Sequence, residues 1–187
     1  MSEDIKKISI PTAAIAVALV MMGPAMLSTG AFAIAPDTPP TKDRGLHFVG
    51  TPDLTVNKVI DPDTGLVTSA SLSATGEVAG AGTGGEATLS STAEVTQGCL
   101  TPPGNNEPSG LERSTETVTG SETFTTTNGR GTFDVTTNAI TTPTEDFSCP
   151  SANMTPVLVS VLFTDITLTI TTDEGKTITA TFADQDP

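Results

Sequence analysis

The chain has 187 residues, no Trp and no Tyr, and 22 acidic against 8 basic residues for a formal charge of −14. Such a surface repels phosphate backbones and no basic patch offsets it, which excludes nucleic-acid binding and disfavours docking on an anionic membrane. Divalent cations and cationic partners stay open, although charge alone does not point to them.

The first 33 residues read as an export signal. Lys6 and Lys7 form a short basic region, an apolar run from Ala13 to Leu27 follows, and Ala31-Phe32-Ala33 offers the small residues that signal peptidase accepts. Cleavage after Ala33 is expected, with an uncleaved membrane anchor as the alternative. A pilin-type helical leader fits less well, because Pro11 and Gly23-Pro24 would break it. The leader contains Glu3, Asp4, Lys6 and Lys7, so its removal leaves the charge balance unchanged. The rest, Ile34 to Pro187, is one domain's worth of sequence expected to fold outside the cytoplasm, secreted or at the cell surface. Membrane contact is expected only through the N-terminal segment, if that stays attached.

Residues 34–45 are Pro-rich and polar and read as a linker or loose arm. Short strands are predicted from Leu46 to Gly50 and from Asp53 to Ile60, with DPDTG (Asp61 to Gly65) as a turn. From Leu66 to Gly80 apolar and polar residues alternate, with Ala70, Leu72, Ala74 and Val78 on one face. That period of two marks a sheet with one wet face. Past the tip at Gly80 to Gly85 the pattern resumes with Ala87, Leu89, Ser91, Ala93 and Val95, and Cys99 is in phase with them.

Asn128-Gly129 is a strong hairpin signal, because a type I′ turn needs positive φ at both central residues. With those two at the turn, Phe124 faces Phe133, Val118 faces Ala139, and Glu122 faces Val135. Glu122 then lies on an apolar face, for which a bulge near Gly120 or a sheet edge is preferred over a functional buried acid. Val157 to Thr171 begins apolar on both faces and changes phase near Thr164-Asp165, as a central strand with a bulge would. Thr172 to Lys176 turns it into a last strand with Ile178, Ala180 and Phe182 inward. The fold class is all-β: an antiparallel β-sandwich of about eight strands in preference to a barrel.

Candidate chemistry is sparse. DPDTG lacks the Gly and Glu positions of a calcium loop, GAGTGG has no Lys-Ser/Thr behind it, and neither carries more than a turn. His47, the only histidine, reads as half-buried and structural, with no nucleophile motif to serve. No enzyme, cofactor or metal site is expected. Asn153-Met154-Thr155 is a glycosylation sequon, with Pro156 directly after it disfavouring use.

Cys99 and Cys149, in an exported chain, are expected to form a disulfide worth about 4 kcal/mol in the chain-entropy model. It would pin two irregular loops, 100–113 and 141–156, to one end of the domain. Binding sites concentrate on such loops, which makes Asn105, Asn106, Glu107, Glu145 and Asp146 the candidate binding residues.

HFVG near the start of the domain, VAGAGTGG, CLTPPGNNEPSG and the later Cys149-Pro150 together resemble a family of small, uncharacterised exported β-sandwich proteins of bacteria and archaea. Pro103-Gly104-Asn105-Asn106 stands where that pattern has Gly-Gly-Asn. The resemblance implies export and fold, and no activity. The expected function is a non-enzymatic secreted or cell-surface role, structural or in protein interaction. Its partner would be another extracellular protein or a second copy, through the arm or an edge strand. The alternative is a calcium- or glycan-binding module using the two loops.

Overall fold

A computed structural model describes residues 34–62, 64–101, 108–144 and 147–186. The fold is all-β and antiparallel, with strands β1 (His47–Phe48), β2 (Asp53–Ile60), β3 (Val67–Ala79), β4 (Gly84–Leu100), β5 (Ser109–Thr125), β6 (Arg130–Thr136), β7 (Ile140–Thr141), β8 (Thr155–Thr172) and β9 (Thr177–Phe182). The ladders fall into two groups. In one, β3 has β1 and β2 along one side and β6 and β7 along the other. In the other, the order is β9-β8-β4-β5. A single pairing, Val67 with Leu158, joins them.

Alternation in the sequence becomes burial in the structure. Ala70, Leu72, Ala74 and Val78 of β3 and Ala87, Leu89, Ala93 and Val95 of β4 are all buried in one apolar cluster. Phe163, Leu168 and Ile170 of β8 and Ile178, Ala180 and Phe182 of β9 join the same cluster. The phase change in β8 is a bulge. The register with β4 shifts between Ser90 and Thr92, Asp165 takes φ 52°, and the Ser91 hydroxyl donates to the Thr164 carbonyl at 2.8 Å.

Four turns were expected, and they behave in two ways. Asp61–Gly65 and Thr172–Lys176 reverse the chain into true hairpins, β2 on β3 and β8 on β9. The other two are corners. Asn128 (φ 54°) and Gly129 (φ 74°) form the I′ turn, closed by Thr127 and Arg130 at 2.7 and 3.1 Å. Beyond that rung the arms separate: β5 pairs with β4, and β6 pairs with β3.

The expected facing pairs of this hairpin are therefore wrong. Phe124 stands opposite Gly85 and Phe133 opposite Gly76, while Val118 faces Ser91, and Glu122 and Val135 face Ala87 and Ala74. A two-residue turn fixes only the reversal; the apolar face of Gly131, Phe133 and Val135 then follows β3. The Gly80–Thr83 tip is likewise a corner, since β3 and β4 do not pair. The two corners are tied together by Gly80 N–H to Gly129 O at 2.8 Å and Thr126 N–H to Thr83 O at 3.1 Å.

Residues 34–45 lie against the domain as an arm. Ile34 exchanges both main-chain bonds with Leu54 of β2, at 3.0 and 3.2 Å. Further along, Asp37 N–H donates to Thr181 O at 2.9 Å and Thr41 N–H to Thr179 O at 3.0 Å. In return the Thr41 hydroxyl accepts from Thr179 N–H at 2.7 Å, and Asp43 Oδ2 accepts from Thr177 N–H at 3.3 Å. Pro39-Pro40, with φ fixed near an extended value, spans the gap between these anchors. No helix among the described residues is long and apolar enough to cross a membrane.

Candidate functional site

Cys99 and Cys149 form the expected disulfide, with Cα atoms 5.8 Å apart. Cys99 lies at the end of β4, flanked by Pro156 of β8 and Ser109 of β5. The bridge thus fastens the connection between β7 and β8 onto the root of the β4–β5 connection. Asn105, Asn106, Glu107, Glu145 and Asp146, the candidate binding residues, lie outside the described residues.

The first loop is shorter than expected. Glu112 and Arg113 are already in the ladder opposite Gln97 and Thr96. Its exposed, polar sequence lacks alternation because an edge strand with two wet faces does not need it.

Sequence reasoning missed a second anchor. Gln97 is only 2% exposed, and its amide donates to the Thr144 hydroxyl at 2.6 Å and accepts from Thr144 N–H at 3.0 Å. A glutamine in phase between Val95 and Cys99 was the available signal, since a buried amide needs partners for both ends. Phe147 is buried beside it, its N–H donating to Thr144 O at 3.1 Å.

Other singled-out residues resolve simply. His47 is exposed, not half-buried; its Nδ1 lies 2.8 Å from the Gly45 carbonyl. Glu122 is exposed on β5, an edge strand, which accounts for a carboxylate at an inward position. Phe48 is buried and meets Phe133 edge-on, with ring centroids 6.2 Å apart. All six phenylalanines among the described residues are buried, so none forms an exposed platform for a sugar. Among the described residues no three His, Cys, Asp or Glu side chains come together to hold a metal ion.

Two surface features remain. At the disulfide end Leu111 (60% exposed) and Val159 (36% exposed) stand beside Pro108 over Gly98, where a Cβ would come within 2.8 to 3.4 Å of them. The second is the outer edge of β5. Thr119 turns both main-chain groups outward, N–H to the Asn138 side-chain oxygen at 2.8 Å and C=O to Asn138 N–H at 2.9 Å. Antiparallel bonding alternates, so Arg113, Thr115 and Thr117, in the same unbroken register, also point theirs outward. Those groups have no partner among the described residues.

Comparison with protein-family models, with curated proteins and with solved structures finds no match to this chain.

Proposed function

We propose that the protein is an exported, non-enzymatic β-sandwich that works outside the cytoplasm through protein contacts, including contacts between its own copies. The two ladder groups are read as the two layers, because each turns one apolar face into the same core. Export is read from the leader, and the Cys99–Cys149 bridge agrees with an oxidising compartment. The resemblance to small exported β-sandwich proteins points the same way.

The open outer edge of β5 is the observation that carries the interaction role. Unpaired strand edges recruit strands, and proteins that do not use them usually cover them. The test is the solution mass of the oxidised, exported protein by light scattering across a concentration series. Growth into dimers or larger species supports the reading. A monomer at every concentration removes self-association and leaves the loops at Asn105 and Asp146 as the next surface to probe. Turnover of an extracellular substrate, lost on changing one polar residue, would overturn the non-enzymatic role.

A further inference from the structure

We infer that two copies of this chain join by antiparallel pairing of β5 with β5 about a two-fold axis at Thr115, an inference that rests on the self-association proposed above. The usable edge is short and bounded. At one end Asn138 occupies Thr119, and beyond it, where the groups of Ser121 and Thr123 point the same way, Thr123 lines a groove shared with Thr132 and Asp134 of β6. At the other the strand is interrupted, with Gly110 at φ 67° and a register shift against β4 between Gln97 and Cys99. Between these limits Arg113, Thr115 and Thr117 offer outward N–H and C=O groups, a set symmetric about Thr115.

A two-fold normal to the sheet keeps each side chain on its own face, so the centre must fall on a residue, and five centres bear examination. Centred on Arg113, the guanidinium meets its own copy. Centred on Ser114, Glu112 meets Glu116 twice; centred on Glu116, the carboxylates meet directly and Arg113 runs into the blocked Thr119. Centred on Thr117, the blocked Thr119 falls opposite Thr115. Centred on Thr115, Arg113 pairs with Thr117 and Thr115 with itself, giving about six main-chain bonds by the rule that such pairs exchange both. Glu116 then faces Ser114, Glu112 faces Val118, and Thr119 meets the strand end at Leu111. Only this register opposes no like charges while using all three outward residues.

The contact is small, and each copy carries a net charge of −14. Association is therefore weak at low ionic strength and tightens as salt shortens the range of that repulsion.

Both native cysteines are bonded to each other, so an added cysteine reports on one contact. In Thr115→Cys the two sulfurs would sit on residues with Cα atoms about 5.5 Å apart, inside disulfide range. Oxidation of the full exported protein should give a covalent dimer, while Thr123→Cys, on the same strand beyond the Asn138 block, should stay monomeric. Thr117 is exposed, so charge changes there leave the monomer intact. Thr117→Glu, which sets a carboxylate opposite Arg113 of the second copy, should bind about tenfold tighter than Thr117→Arg, given the usual worth of two cross-strand charge pairs. Equal cross-linking at 115 and 123, or equal association of the two Thr117 variants, overturns the register. If the unmodified protein grows in mass while Thr115→Cys does not cross-link, this inference fails and self-association stands on another surface. If its mass never grows, both fail.

Discussion

Strands β9 and β5 are the two outer members of the group β9-β8-β4-β5, and each turns a row of main-chain donors and acceptors away from its ladder. Along β9 the arm takes them up: Thr177 N–H, both groups of Thr179, and Thr181 C=O are all bonded by Asp37, Thr41 and Asp43. Along β5 only Thr119 is taken, by Asn138, and the stretch from Arg113 to Thr117 has nothing beside it among the described residues. The same chain therefore closes one edge with its own segment and leaves the other to charged residues such as Glu112 and Glu116. The difference teaches that an antiparallel sheet can have one edge closed by its own chain and the other left open, which is the asymmetry that the proposed contact needs.

The largest expected effect comes from the anchor beneath the open edge. Replacing Cys99 and Cys149 together by Ala removes a cross-link of sequence separation 50. The loss is about 4 kcal/mol, or roughly 10 °C in melting temperature for a domain of this size. A calorimetric shift under about 2 °C would contradict the bridge as the main fastening of this end.

Next is Gly120→Ala. A Cβ there would sit 1.9 Å from Thr136 O, so β5 and β6 must part at the place where β5 is held. A cost of about 2–3 kcal/mol in urea unfolding is expected, as for other overpacked sites. Thr41→Pro would uncover β9 by removing both the N–H that donates to Thr179 C=O and the hydroxyl that accepts from Thr179 N–H. It should cost about 2 kcal/mol, and with two open edges light scattering should find species larger than dimers. Asn138→Ala frees only the Thr119 N–H, at about 1 kcal/mol, and leaves Thr119 C=O on the main chain of residue 138; the edge stays bounded there, so cross-linking of Thr115→Cys should keep its selectivity.

The smallest effect is electrostatic. A side-chain hydrogen bond and the charge of Lys176 hold the Glu174 carboxyl below its ordinary value, with a contact of 2.8 Å. A depressed carboxyl stabilises the fold above its unfolded value and loses that contribution as pH falls through the folded one. Carbon-detected NMR titration should find Glu174 titrating low, and Lys176→Ala should return it upward.

Much of this fold was legible because burial leaves a period-two trace. The strands from Val67, from Gly84 and from Thr155 could be read from their alternation, and the bulge in β8 from its change of phase. Cys99 was in phase with the core, so the bridge could be read too. Partner choice left no such trace. The residues 80–83 and 126–129 have the turn chemistry of 61–65 and 172–176, yet the first two are corners. What separates them is tertiary: Gly85 and Gly131 allow close approach, with a Cβ at either meeting Thr171 O at 2.4 Å or Phe124 at 2.7 Å. The open edge was equally hidden. Arg113 to Thr117 carries no alternation, and its free groups are defined only by where Asn138 and the arm end up.

Amide hydrogen exchange followed against protein concentration tests the asymmetry of the edges most directly. Arg113, Thr115 and Thr117 should exchange rapidly in dilute solution and slow together as concentration rises, while Thr177 and Thr179 stay protected throughout. Exchange at the three β5 amides that remains fast at every concentration, or protection of them already in dilute monomer, would contradict the account.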